Sequence, residues 1–171
     1  LNKIKMENRR SFIQKTGMAA AGVAALQFDL LAKQRAKIGA NGKINVGAIG
    51  INGMGWSDLK SLMKMPDINV VGICDVDENV LNARKQELVK AGFNPATYSD
   101  YRKLLENKDI DVVVIGTPDH WHCLQMVDAC SAGKDVYVEK PVGNSIQECN
   151  VMVAAQQRYG RAVQCGQWQR S

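Results

Sequence analysis

The sequence predicts an α/β protein with a doubly wound parallel sheet. Two observations predict it. From residue 44 onward, short β-branched runs alternate with segments of helical spacing. Those runs are also apolar throughout, not alternating, which implies a sheet covered on both faces by right-handed crossovers.

Ile44-Asn45-Val46-Gly47-Ala48-Ile49-Gly50 reads as a buried strand ending in glycine. Helical spacing follows from Gly55 to Met65, with Leu59, Leu62 and Met63 on one face and Pro66 closing the helix. Asn69–Asp75 is a second strand, and Glu78–Ala91 a second helix stopped by Gly92. A short strand near Thr97-Tyr98 leads into a short helix at Asp100–Glu106. Asp111–Gly116 is the most β-branched run and is expected at the centre of the sheet. Trp121–Ala132 is helical, Asp135–Val138 a strand, Ile146–Tyr159 a helix ended by Gly160, and Arg161–Cys165 a last short strand.

The net charge of +5 is unevenly placed. Residues 1–43 hold nine of the 22 Lys/Arg and two of the 17 Asp/Glu, so this segment carries +7 and the remainder −2. The basic balance belongs to the leading segment and not to the folded body, which removes the main argument for nucleic-acid binding, since that needs a basic patch on the folded surface. The five cysteines are odd in number and no pair has CxxC spacing; Cys74 and Cys165 fall in apolar runs, as small hydrophobes do.

Residues 1–43 read as a leader and linker. Arg9-Arg10 opens a twin-arginine pattern, followed by the weakly hydrophobic Thr16–Leu26 run, too short for the about 20 residues of a membrane span. That order implies the twin-arginine export machinery as a partner and a periplasmic or otherwise exported location, or a cytoplasmic one if the leader is unused. Ile38-Gly39-Ala40 is a weak cleavage candidate, and Asn41-Gly42 marks the boundary with the domain.

Gly50-Ile51-Asn52-Gly53-Met54-Gly55 lies between the first strand and the first helix, where a dinucleotide pyrophosphate meets a helix N-terminus. Read as G-x-G-x-x-G, it has Asn52 in place of the middle glycine. Gly53 is expected to supply some of the lost clearance, and Asn is a residue that tolerates positive φ. Asp75 ends the second strand 20 residues after Gly55, the expected place for a carboxylate that accepts from the adenosine ribose hydroxyls. A carboxylate there repels a 2′-phosphate, which favours NAD over NADP. Asp77 stands close enough to compete for the assignment.

With Thr117-Pro118-Asp119-His120-Trp121-His122 after the fourth strand and Glu139-Lys140-Pro141 after the fifth, the order of motifs resembles the Gfo/Idh/MocA oxidoreductases. These are sugar and inositol dehydrogenases with an N-terminal Rossmann domain. The resemblance implies that Thr117 and Pro118 line the cofactor near its pyrophosphate and ribose. It matches His122 to the family's histidine after that turn, a candidate catalytic residue. It places Lys140 beside the nicotinamide, hydrogen-bonded to a substrate hydroxyl. A cation at the carboxyl end of a parallel strand also faces the ligand crevice and stabilises a developing alkoxide. The cofactor-binding candidates are thus Gly50, Asn52, Gly53, Met54, Gly55, Asp75, Thr117, Pro118, His120, Glu139 and Lys140.

His120 and His122 supply only two potential metal ligands and the chain has no third histidine, so no metal is expected. They are expected to cap the helix and pack beside the cofactor. Trp168 falls where the family crosses to its second domain. The expected organisation is a leader over 1–43, a dinucleotide-binding domain over 44–166, and over 167–171 the start of a crossover to a second, substrate domain that is absent, as expected of a truncated product or fragment. The reaction implied is hydride transfer between a nicotinamide cofactor and a sugar, inositol or related polyol. Alternatives are an NAD-dependent glycosidase of the same family, whose members also carry twin-arginine leaders, and a non-catalytic nucleotide-binding fragment.

Overall fold

The computed structural model describes residues 42–167. The twin-arginine segment, the cleavage candidate and Trp168 lie outside them. Among the described residues six strands alternate with five α-helices: β1 Ile44–Ile49, α1 Gly53–Leu62, β2 Ile68–Cys74, α2 Glu78–Lys90, β3 Ala96–Tyr98, α3 Tyr101–Leu105, β4 Val112–Ile115, α4 His122–Ser131, β5 Asp135–Glu139, α5 Ile146–Tyr159 and β6 Val163–Gly166. A single 3₁₀ turn, Asp119–Trp121, precedes α4.

Each helix start has a local cause. Asn52, Asp77, Asp100 and Ser145 each accept backbone N–H groups left unpaired in the first turn of α1, α2, α3 and α5. The Asn52 cap moves the start of α1 to Gly53, two residues earlier than its spacing suggests. Before α4 the Trp121 N–H donates to the Pro118 carbonyl at 3.0 Å, an i to i−3 bond, so the chain turns tightly there before widening at His122. β6 begins at Val163, later than expected, because the Ala162 N–H is taken by Asp135 Oδ1 at 2.9 Å.

All strand pairs are parallel, in the order β3-β2-β1-β4-β5-β6. The order reverses between β1 and β4, so the most β-branched run does sit at the centre. Successive β4 residues feed opposite cores. Val114 packs with Val46, Ala48, Ile73, Trp56, Leu59, Leu81 and Leu88 on the α1–α2 side. Val113 and Ile115 pack with Leu104, Met126, Ala129, Val138 and Met152 on the side of α3, α4 and α5. That double covering is why the strands lack polar alternation. Among the described residues no helix is long and apolar enough to cross a membrane.

Candidate dinucleotide site

In a doubly wound sheet the ligand crevice lies at the carboxyl ends of the strands, where the strand order reverses. A cavity of about 630 Å³ opens there, between the ends of β1, β2 and β4 and the turn after β3. Of the residues singled out from the sequence, Gly50, Asn52, Asp75, Thr117 and Pro118 line it.

The glycine turn is shaped by conformation at one position and by contact at another. Gly50 has φ +75°, and a Cβ there would stand 2.6 Å from the Thr117 nitrogen. Gly55 packs so tightly that a Cβ on it would collide with the Gly50 carbonyl oxygen and press on the Gly116 Cα. The first turn of α1 thus rests directly on the ends of β1 and β4. Asn52 does not take the positive φ; it is extended at φ −102° and accepts the Gly53 N–H at 3.0 Å. Positive φ falls on Gly53 instead, at +51°, where a Cβ would meet nothing within 4 Å. Gly53 therefore supplies the positive φ of the turn, and the space beside it is open.

Asp75 and Asp77 separate cleanly. Asp77 caps α2, accepting from Asn79 and Val80. Asp75 turns toward the glycine turn: its Oδ2 accepts the Ile51 N–H at 3.0 Å and its Oδ1 the Asp77 N–H at 3.0 Å. Each carboxylate oxygen keeps a lone pair for a ribose hydroxyl. Arg84 of α2 closes the arrangement by donating from Nε to the Ile51 carbonyl at 3.3 Å, its guanidinium 4.7 Å over the Trp56 ring. The turn is held from both sides without a ligand, and its glycines leave backbone space beside the α1 N-terminus. That is a fit for a pyrophosphate.

The wall after β3 was not legible in the sequence. Ser99, Asp100, Tyr101 and Arg102 all line the cavity, as do Val76 after β2 and Gln125 from α4. Val76 is 92% exposed. The Arg102 guanidinium lies 4.8 Å over the Tyr101 ring and 3.4 Å from Asp100. Burial, with a hydrogen bond to Asp128 at 2.7 Å, pushes the Tyr101 hydroxyl up to about 12. Burial and the neighbouring Asp75 and Asp100 carboxylates push the Cys74 thiol up to about 12, which keeps it a neutral wall group.

The Thr-Pro turn is held by α4. Thr117 Oγ1 donates to Gln125 Oε1 at 2.7 Å. His122, only 1% exposed, has Nε2 2.7 Å from the Thr117 carbonyl oxygen and Nδ1 2.8 Å from the Pro141 carbonyl oxygen. Neither ring nitrogen is left to face the groove, a placement unlike that expected of a group handling a substrate proton. His120 is exposed, 3.7 Å from Asp119. Gly53, Met54 and Gly55 form the start of α1 and are not among the residues that line the cavity.

Lys140 is exposed just beyond β5, whereas its neighbour Glu139 is 4% exposed. Glu139 Oε1 has no hydrogen-bond partner among the described residues. Burial, and then the Asp58 carboxylate, holds the Glu139 carboxyl above the usual carboxylate range, with Lys140 pulling the other way.

A parallel sheet that reverses at β1/β4, a glycine turn opening a helix and a carboxylate ending β2 define a dinucleotide-binding α/β domain. The chain belongs to the Gfo/Idh/MocA family, described as "Oxidoreductase family, NAD-binding Rossmann fold", whose profile matches residues 44–167. The domain is thus the NAD-binding domain of an oxidoreductase family. Among curated proteins it is 30% identical to a glycosyl hydrolase family 109 protein of Shewanella pealeana, over 88% of this chain and 37% of that protein. It is 29% identical to an α-N-acetylgalactosaminidase of Shewanella oneidensis, over 83% of this chain and 35% of that protein. Among solved structures it is similar to the myo-inositol 2-dehydrogenase of Lactobacillus plantarum: 27% identity, TM-score 0.66, 72% of this chain and 36% of that one. The apo scyllo-inositol dehydrogenase of Lactobacillus casei matches at 25% identity and TM-score 0.66, over the same shares of the two chains. The chain spans little more than a third of the length of these proteins.

Proposed function

We propose that this chain is the cofactor-binding part of an NAD-dependent oxidoreductase acting on a hydroxyl-bearing carbon of a sugar, inositol or related polyol. The observation that carries this reading is the ligand-free organisation of the Gly50–Gly55 turn by Asp75, at the mouth of the cavity. Gly50, Asn52 and the α1 N-terminus hold the pyrophosphate, Asp75 the adenosine ribose, and Thr117 and Pro118 the adjoining part of the cofactor. NAD, when bound, supplies a hydride acceptor or donor. Lys140 hydrogen-bonds the substrate hydroxyl through Nζ and helps its proton leave, as a cation next to a developing alkoxide does. NAD is preferred over NADP because a 2′-phosphate would stand against the Asp75 carboxylate.

A second reading is favoured by the glycosyl hydrolase relatives. Their alignment reaches 88% of the chain, so it extends into the segment before residue 44, beyond the nucleotide-binding domain. In that reading oxidation of the sugar is transient: the glycosidic substituent leaves and the hydride is returned. The Arg9-Arg10 pattern supports export by the twin-arginine route in either case.

A cofactor assay separates the readings. Net NADH formation with a sugar or inositol supports the dehydrogenase. Release of an aglycone from a glycoside without net NADH supports the glycosidase. Failure to bind NADH in a fluorescence titration sinks both.

A further inference from the structure

We propose that His122 is a positioning residue, a clamp that fastens the turn carrying Thr117 to the turn carrying Lys140. This deepens the cofactor-site reading above and rests on it.

β4 and β5 are neighbours, and their ladder ends at the pair Ile115–Val138. Past that point the two chains enter separate turns: Gly116-Thr117-Pro118 on one side and Lys140-Pro141 on the other. The His122 ring stands between them. Its Nε2 meets the Thr117 carbonyl at 2.7 Å and its Nδ1 meets the Pro141 carbonyl at 2.8 Å. Carbonyl oxygens only accept, so the ring bonds both turns when both nitrogens carry a proton, and a neutral ring donates to one of them. The ring is 1% exposed, which removes competition from water.

The clamp has a rigid base. His122 begins α4, and Gln125, one turn along the same helix face, accepts the Thr117 hydroxyl. Thr117 is therefore held at its carbonyl and at its side chain by one helix. Pro141 follows Lys140 directly, so fixing the Pro141 carbonyl fixes the backbone from which the lysine projects. The adenosine end of the groove, built on Asp75 and the residues after β3, makes no hydrogen bond to His122, whose ring bonds the Thr117 and Pro141 carbonyls. A loss of the clamp should therefore act more on the side that carries Lys140 than on the adenosine end.

The test compares NAD with ADP-ribose, which shares the adenosine and pyrophosphate but lacks nicotinamide. Dissociation constants for both are measured by calorimetry for the unaltered chain, His122→Ala and His122→Gln. Gln keeps much of the volume but presents donors from one atom only, and carries the test if the alanine variant fails to fold. The expected result is NAD binding weakened about tenfold, the scale of one or two lost buried hydrogen bonds, and ADP-ribose binding weakened by about threefold or less. Parallel loss of both ligands indicates a merely structural histidine and overturns the clamp, as does unchanged binding of both. An unaltered chain that binds neither ligand overturns the site reading itself, a distinguishable outcome.

Discussion

Asp75 Oδ2 accepts the Ile51 N–H at 3.0 Å, and this bond joins the end of β2 to the glycine turn 24 residues earlier. The carboxylate proposed to receive the ribose is already employed in holding the glycine turn. Asp75→Ala should therefore lower stability as well as affinity. The loss of two charge-assisted bonds, to Ile51 and Asp77, predicts a decrease of about 2 kcal/mol or more in unfolding free energy. Asp75→Asn keeps one acceptor oxygen and should lose about half of that. Denaturant melts of the two variants check the order; equal stability of all three chains would show that the turn does not depend on Asp75.

The contact between Gly55 and Gly116 sets a second prediction. A methyl group on Gly55 has no flexible neighbour to displace, because it would meet the Gly50 carbonyl and the Gly116 Cα, both backbone. Gly55→Ala should cost about 1–3 kcal/mol, as overpacking does, and should move α1 off the strand ends and weaken NADH binding. Gly53→Ala meets no atom within 4 Å and pays only for its positive φ, so it should cost less. A melt in which Gly53→Ala is the more damaging of the two would contradict this packing account.

The strands and their order of burial were legible because periodicity reports covering on both faces, as at Val113, Val114 and Ile115. The glycine turn and Asp75 were legible because a tight strand-to-helix turn and a carboxylate after the next strand constrain residue type at fixed spacing. Tyr101 and Arg102 were not. They reach the cavity only because β3 lies beside β2 at the sheet edge, a fact of topology with no local signature. The partners of His122 were hidden for a similar reason: the Pro141 carbonyl is backbone, and no residue type encodes it. Asn52 was legible as a departure from the glycine pattern, but its capping role depended on where α1 begins.

Glu139 provides a pH signature. Its carboxyl is held above the ordinary carboxylate range in the folded chain, by burial first and Asp58 second. The folded state therefore binds the proton more tightly than the unfolded state. Stability from this group is fully present below the unfolded value and is lost as pH rises through the folded one. Glu139→Gln removes the cost of ionisation, so the variant should gain on the parent at about pH 7.5 and match it near about pH 4. Thermal melts across that range check the sign; a variant less stable at the higher pH would mean that Glu139 is stabilised there as an anion.

Cofactor preference follows from the charges around the adenosine end. Asp75 disfavours a 2′-phosphate, while Arg102, exposed on the same cavity wall, attracts one. Asp75 is held on a strand end by two backbone N–H groups, whereas the Arg102 guanidinium is exposed and already paired with Asp100. The fixed charge should win over the screened one. NADH is expected to bind at least about tenfold more tightly than NADPH, a difference of about 1.4 kcal/mol. Asp75→Asn should narrow that gap and Arg102→Ala should widen it. Fluorescence titrations of both cofactors against the three chains test this, and equal affinities in the unaltered chain would overturn Asp75 as the discriminating residue.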